Sequence, residues 1–250
     1  MVQPAQARSS RTKQPARKPV QERSKRTRQL VLDAASRLIA DHGTAGVTLQ
    51  QIYTAAGVSK GSGQHAFRTK KEIALTIVQE GFSMDAAQPG KPRVQAIVDA
   101  SIVLSWLTVF SPVVRAAARI ATEQDHPEVF GTLWRLYVPM ITKILIQAAK
   151  EGELQEDLTE HDLEKAAWHW VMTFTGYDLR FRRTVDELPR WIASMNAWAV
   201  RGIVTPETYR QLRFDVQRGL TLIAQSNWAR SYISDQDVPH ADTESDGTPA

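Results

Sequence analysis

Cysteine is absent from this chain of 250 residues. Its absence excludes disulfide bonds and any metal site built from thiolates. A chain without disulfides suits a reducing compartment. We therefore expect a cytoplasmic protein.

Long apolar runs and catalytic motifs are also missing. No apolar run approaches the roughly 20 residues of a membrane-spanning helix, and no hydrophobic stretch follows the basic N-terminus. The chain has no phosphate-binding loop, nucleophile elbow or H-E-x-x-H pair. His161 and His169 are eight residues apart, too far to form a compact metal pair alone. We expect a soluble protein with no membrane partner, which is not an enzyme and has no metal or other cofactor.

Positive charge is concentrated at one end of the chain. Residues 1–28 contain nine basic residues and one acidic residue, so their net charge is +8, whereas the whole chain carries +4 and residues 29–250 carry −4. Residues 1–21 have few large apolar side chains, which predicts a disordered basic arm. This arm either adds to DNA affinity, which we favour, or is only a solvated tail. Residues 229–250 contain five carboxylates in their last twenty positions, and we expect a disordered acidic tail there.

The stretch from Thr48 to Phe67 has the pattern of two short helices joined by a tight turn. Thr48 is a good N-cap residue, and Gln51 three positions later completes a capping box. Gly57 allows the backbone conformation that commonly ends a helix, and Ser59 can cap a second helix. The pattern predicts a helix-turn-helix motif, whose second helix enters the major groove of DNA.

Together with its flanking helices, this segment resembles the DNA-binding domain of the TetR family of transcriptional repressors. The resemblance implies an all-α protein with a three-helix DNA-binding domain at residues 22–69. A larger helical domain for ligand binding and dimerisation would follow at residues 70–228. The residues that match are Gly43, Thr48-Leu49, Ile52, Ala55-Ala56-Gly57-Val58-Ser59-Lys60-Gly61, Phe67 and Lys70 to Glu72.

The chain departs from the family pattern on the expected DNA-facing surface. The family commonly has Leu-Tyr-x-His-Phe before its fourth helix, and here Gln64 replaces that Tyr and Ala66 that His. Lys60 suits a guanine edge or a phosphate, and Gln64 suits an adenine edge. For His65, a water or phosphate contact is favoured over a pH-sensing role. Tyr53 either contacts a phosphate, which we favour, or covers the core. The candidate DNA-binding residues are Thr48, Gln50, Tyr53, Ser59, Lys60, Gly61, Ser62, Gln64, His65 and Lys70.

The rest of the chain has helical periodicity with no alternating strand pattern. Proline, glycine and cap residues divide it. The predicted helices run over residues 70–84, 94–110, 113–124, 128–151, 159–183, 189–203 and 205–226. Arg115 and Arg119 lie on the third of these, where they either bind a ligand carboxylate or pair with the DNA-binding domain, which we favour.

The larger domain resembles the γ-butyrolactone (autoregulator) receptors of the same family. The matching residues are 118–124, Trp134, 148–154, 174–177 and 191–198. The resemblance implies that Trp134 stacks on a small lactone or furan ring and that Gln124 hydrogen-bonds it. Aromatic and soft side chains also favour an apolar pocket, although Trp106 and Phe110 are equally explained by core packing. The candidate ligand-binding residues are Trp106, Phe110, Gln124, Phe130, Trp134, Tyr137 and Thr175.

The helices around Trp170 and Trp198 contain more large apolar residues than a small core requires. Such faces are typical of dimer interfaces, and a palindromic operator requires a two-fold partner. We therefore expect a homodimeric repressor that binds a pseudo-palindromic double-stranded DNA operator. A small autoregulator would release it, and secondary-metabolite genes would be its targets. The alternatives are a TetR-type regulator of efflux or catabolism with an unrelated hydrophobic ligand, and an architectural DNA-binding protein without a ligand.

Overall fold

A computed structural model describes residues 18–81, 90–123, 131–176 and 187–233. The described ranges are helical and contain no strand. One isolated antiparallel bridge joins Leu154 to Val204. The helices are α1 (Lys18–His42), α2 (Leu49–Ala55), α3 (Lys60–Ala66), α4 (Lys70–Gly81), α5 (Arg93–Phe110), α6 (Pro112–Thr122), α7 (Thr132–Lys150), α8 (Glu160–Gly176), α9 (Leu188–Arg201), α10 (Pro206–Gln211), α11 (Val216–Gln225) and α12 (Asn227–Arg230). The all-α prediction is confirmed.

We call helices α1–α3 the head and helices α5–α11 the body. Helix α4 connects them, because it packs against α6 of the body and also contacts α1. Its inward face buries Ile73, Ile77 and Val78. At Gly81 a Cβ atom would lie 2.4 Å from the Cβ of Ala117 in α6, so glycine lets the two helices approach closely. The head therefore rests mainly on α6 and α4.

Helix α5 is the centre of the body. Among the described residues it is the one helix long and apolar enough to cross a membrane, which corrects the expectation that no such run exists. It packs instead against α6, α7, α9 and α11. Its apolar composition is thus that of a core helix, since 61% of it is buried in the protein.

The start of α5 is capped by a side chain that is distant in sequence. The carboxylate of Glu153 accepts hydrogen bonds from the backbone N–H of Arg93 at 2.7 Å and of Val94 at 3.1 Å. The first N–H groups of a helix have no partner within the helix, and the helix dipole favours negative charge there. Glu153 is only 8% exposed, so this contact fixes the loop after α7 to α5 inside the protein.

The predicted last helix, residues 205–226, is wrong in one respect, because it is divided into α10 and α11. The linking residues are held by α5 through Gln95, which donates to the carbonyl of Arg213 at 2.9 Å and accepts from its N–H at 2.7 Å. Beyond the break, Arg218 makes a two-pronged ion pair with Asp99, at 2.8 and 2.9 Å. The two bonds from Gln95 satisfy backbone groups of Arg213 that have no helical partner at the break.

One further predicted boundary differs from the structure. Helix α1 already includes residues 18–21, which were assigned to a disordered arm. Helix α7 begins at Thr132, after Gly131 in the left-handed backbone region with φ of 74°, and the predicted helical residues 128–130 lie outside the described ranges. Glycine adopts this conformation without a steric penalty.

Candidate nucleic-acid interface

Helix α2 begins with the capping box predicted from the sequence. The Thr48 hydroxyl accepts from the Gln51 backbone N–H at 3.3 Å, and the Gln51 side chain accepts from the Thr48 N–H at 2.8 Å. Gly57 follows α2 with φ of 65°, and the Val58 N–H donates to the carbonyl of Tyr53 at 3.1 Å. The turn between the helices is therefore closed by local bonds, as a helix-turn-helix requires.

Helix α3 presents its polar side chains to solvent. Ser59 caps it by accepting from the Ser62 backbone N–H at 3.2 Å. The exposed residues on α2, α3 and their caps include eight of the ten predicted DNA-binding residues: Thr48, Gln50, Ser59, Lys60, Gly61, Ser62, Gln64 and His65. These eight remain candidates, since the structure brings them together on two adjacent short helices.

The structure corrects the assignment of Tyr53 as a phosphate contact. Tyr53 is 2% exposed, and its hydroxyl donates to the buried carbonyl of Phe67 at 2.6 Å. Burial, with a smaller effect of Glu72, raises the pKa of the Tyr53 hydroxyl. The ring lies against Gly63, where a Cβ atom would come within 2.4 Å of it. Tyr53 therefore covers the core, and Gly63 makes room for its ring.

The structure also corrects the assignment of Lys70 as a DNA-binding residue. The Lys70 ammonium group donates to the carbonyls of Thr44 at 2.8 Å and Val47 at 2.9 Å. These oxygens belong to the loop between α1 and α2, so the lysine joins the start of α4 to that loop. Because its ammonium group is held by two backbone carbonyls, Lys70 stabilises this loop and is not a phosphate contact.

The first turns of α1 form part of the same surface, although no α1 residue is among the predicted DNA-binding residues. Arg23, Ser24 and Thr27 line a groove whose other side is formed by Gly61, Ser62, His65 and Ala66 of α3. Arg23, Lys25 and Arg26 are exposed. We call this set of α1 residues and α3 the basic groove. The run of basic residues in the sequence indicated these cations. Their place beside α3 could be known only from the structure, in which α1 extends alongside α3.

Arg28 has a different role from its basic neighbours. Its guanidinium donates to the carbonyl of Ala66 at 3.1 Å and to Thr76 at 3.3 Å. It also lies over the ring of Phe67, 3.9 Å from the ring centre. Arg28 thus caps the C-terminal end of α3 and fixes its direction against α1 and α4.

The head is linked to the body through α6. Arg119 donates to the carbonyl of Ala40 in α1 at 3.2 Å and pairs with Glu123 at 2.8 Å. Glu123 in turn accepts from both the N–H and the hydroxyl of Thr44. The favoured pairing of Arg119 with the DNA-binding domain therefore takes the form of a hydrogen bond to its backbone. Arg115 instead donates within the body, to the carbonyl of Val109 at 3.3 Å.

The candidate ligand-binding residues are not all brought together. Trp106 stacks on Phe110 with ring centres 5.3 Å apart, and its indole N–H donates to the carbonyl of Val216 at 2.9 Å. Both take part in the packing of α5 against α11, in keeping with the core-packing alternative. Trp134 and Tyr137 lie half-buried on α7 against the main core. Burial, with a smaller effect of Tyr232, strongly raises the pKa of Tyr137.

The remaining ligand candidates fall outside what the structure describes. Gln124 and Phe130 lie between the described ranges, and the side chain of Thr175 in α8 is likewise not described. Within the described ranges, no group of three or more His, Asp or Glu side chains is placed to hold a metal ion.

A capped helix pair with an exposed second helix, joined to a helical body, defines a helix-turn-helix protein. Residues 31–77 match the family of bacterial regulatory proteins called the tetR family. The match lies within α1–α4, and this part of the chain is similar to the DNA-binding domain of that family.

Two curated relatives match parts of the chain. The HTH-type transcriptional regulator BetI of Rhizobium meliloti is 29% identical over 107 residues, which cover 36% of this chain and 53% of BetI. The A-factor receptor protein of Streptomyces griseus is 26% identical over 165 residues, which cover 64% of this chain and 56% of that receptor. The chain therefore spans about half the length of the curated relatives that it matches.

Solved structures share the fold over most of the chain. CprB of Streptomyces coelicolor, in complex with its biological operator sequence, superposes with a TM-score of 0.65 and 23% identity. A γ-butyrolactone receptor described as ArpA-like gives 0.63 and 23%. Both comparisons cover 82% of this chain and 100% of the other protein. The resemblance to γ-butyrolactone receptors expected from the sequence is confirmed.

Proposed function

We propose that two copies of this chain form a repressor that binds a pseudo-palindromic operator and is released by a small signalling molecule. The observation that carries the proposal is the basic groove beside α3, on a TetR-family head fixed to the body by α4 and α6. The cations of α1 would lie against phosphates while Lys60 and Gln64 meet base edges. We infer that the protein is located in the cytoplasm, where the operator is found.

The dimer interface is proposed on α8 and α9. Large apolar side chains face solvent there: Trp168 is 42% exposed, Met172 58%, Trp191 36% and Trp198 74%. Trp170 points the other way and donates to the buried Asn196 at 2.6 Å. The inward residues therefore complete the core, and the outward ones form an apolar surface that a second copy would cover.

The ligand is proposed to be a γ-butyrolactone or furan, in keeping with the name of one similar solved structure, a γ-butyrolactone receptor. Trp134 on α7, with Tyr137 one turn away, would contact its ring. Binding would shift α6, and the Arg119 and Glu123 contacts would pass that shift to the head. A ligand acts in this way only by its difference in affinity between two conformations.

A gel shift with promoter DNA from beside the protein's own gene tests DNA binding. Lys60→Ala and Gln64→Ala should each abolish the shift while the chain remains a dimer, whereas Lys143→Ala, an exposed change on α7, should keep it. Retained binding by both α3 variants would contradict the proposed base contacts. Equal binding to scrambled DNA would instead indicate an architectural protein.

Adding γ-butyrolactones or culture extracts to the shifted complex tests the ligand. Release by a lactone from the wild type, but not from Trp134→Ala, supports the autoregulator function. If Trp134→Ala is still released by the lactone, the proposed contact is wrong. Release only by unrelated hydrophobic compounds would favour a regulator of efflux or catabolism.

A further inference from the structure

A cavity of about 340 Å³ lies where the head meets the body, away from the proposed ligand site on α7. Its walls come from α1, the end of α4, the start of α6 and the segment after α12. The polar residues used below are Asp33, Ser36, Arg37, Glu80 and Tyr232. The volume lies at the lower end of the range for small-molecule sites.

Ser36 is a buried polar residue in the wall of the cavity. It is 2% exposed, and its hydroxyl oxygen is buried without a hydrogen-bond partner among the described residues. Leaving a buried hydroxyl without a partner costs about 1–3 kcal/mol. Because Ser36 lines the cavity, a molecule bound there is placed to supply the missing bond.

The charge of the walls indicates the chemistry of that molecule. Asp33 and Glu80 contribute two carboxylates, and Arg37 contributes one cation. Gln29 donates to one oxygen of Asp33 at 2.9 Å. Partial burial raises the pKa of the Glu80 carboxyl, Arg28 opposes this rise, and the Asp33 charge adds to it. Two carboxylates that repel each other across one cavity are both stabilised by a cation placed between them.

The cavity is closed on one side by the segment after α12. The Tyr232 hydroxyl donates to the backbone carbonyl of Glu80 at the end of α4. This bond joins residues 152 positions apart and holds the segment over the cavity. The walls therefore come from four separate parts of the chain and form a built site at the junction of head and body.

We propose that this cavity binds a small organic amine, with its ammonium group between Asp33 and Glu80 and a second polar group on Ser36. An ammonium group offers three hydrogen-bond donors, and carboxylate and hydroxyl oxygens accept them. An amine in this position contacts the head through α1 and the body through α4 and α6. It is a second site, separate from the α7 site of the autoregulator.

Isothermal titration of the full chain with 1,4-diaminobutane, without DNA, tests the proposal. The wild type should show saturable binding. Neutral 1,4-butanediol and anionic succinate, which have similar lengths, should not bind. Failure of the diamine to bind, or equal binding of either control compound, would overturn the assignment.

Variants locate the binding. Glu80→Gln and Asp33→Asn keep the shape of each side chain and should each weaken diamine binding at least tenfold. Ser36→Ala should weaken it several-fold without lowering the melting temperature, because the hydroxyl has no partner among the described residues that could be lost. Glu164→Gln, an exposed carboxylate on α8, should leave binding unchanged. Diamine affinity that is the same in all four variants would show that the amine binds elsewhere.

Discussion

Glu123 Oε2 accepts two hydrogen bonds from Thr44, one from the backbone N–H at 3.0 Å and one from the hydroxyl at 2.8 Å. The two residues are 79 positions apart, at the end of α6 and in the loop after α1. The other carboxylate oxygen pairs with Arg119. Gly43 beside this carboxylate has φ of 74°, in the left-handed region that favours glycine. One carboxylate thus fixes the head to α6.

We expect Thr44→Val and Glu123→Gln to be energetically coupled. Each change weakens the same contact, and the double variant should lose less stability than the sum of the two single losses. The expected coupling is about 1–2 kcal/mol in the free energy of unfolding, measured by urea denaturation in a double-mutant cycle. The control cycle pairs Thr44→Val with Glu164→Gln on α8, for which we expect additivity. Additivity in both cycles would contradict the link.

Tyr53→Phe should lower stability but leave operator affinity unchanged. Its buried hydroxyl donates to the carbonyl of Phe67, and loss of that donor is expected to cost about 1–3 kcal/mol. Thermal unfolding and gel shifts well below the melting temperature measure the two effects. Lys60→Ala should give the opposite result, with normal stability and no shift. A stable Tyr53→Phe protein without operator binding would restore Tyr53 as a DNA contact.

Glu153→Ala should destabilise the body by about 2 kcal/mol. Both carboxylate oxygens accept from backbone N–H groups at the start of α5, and these groups would lose their partner in a buried position. Chemical denaturation followed by tryptophan fluorescence measures the loss. Glu156→Ala, an exposed change three residues later, is the matched control. Equal stability of the two variants would mean that Glu153 is not a significant cap.

Arg23→Ala should weaken operator binding and reduce its dependence on salt. A cation that neutralises one phosphate contributes about one unit to the slope of log affinity against log salt concentration. Titrations between low and physiological salt measure this slope. Lys143→Ala removes an equal charge from α7 and should leave the slope unchanged. If both variants keep the wild-type slope, α1 does not follow the DNA backbone.

Trp198→Glu should convert the proposed dimer into monomers. This indole is the most exposed of the large apolar side chains, and a carboxylate in its place would be buried in the interface without a partner. Analytical ultracentrifugation measures the change in mass. Leu136→Glu replaces another exposed apolar residue, on α7, and should leave the mass unchanged. A wild-type chain that is already monomeric would refute the dimer.

The sequence by itself determined the class of fold and the recognition motif. Cap residues, glycines and apolar periodicity act within a few positions, so the places of Thr48, Gln51 and Ser59 follow from their immediate neighbours in the chain. The family resemblance followed from the same local pattern.

Tertiary structure alone decided which polar residues face outward and where the helices meet. Tyr53 and Lys70 look available for DNA in the sequence, but their partners are carbonyl groups brought close by folding. The division between α10 and α11 likewise depends on Gln95, which lies 118 positions from Arg213. Hydrogen bonds and burial between distant segments leave no periodic signal in a single sequence, because they depend on the packing of whole helices.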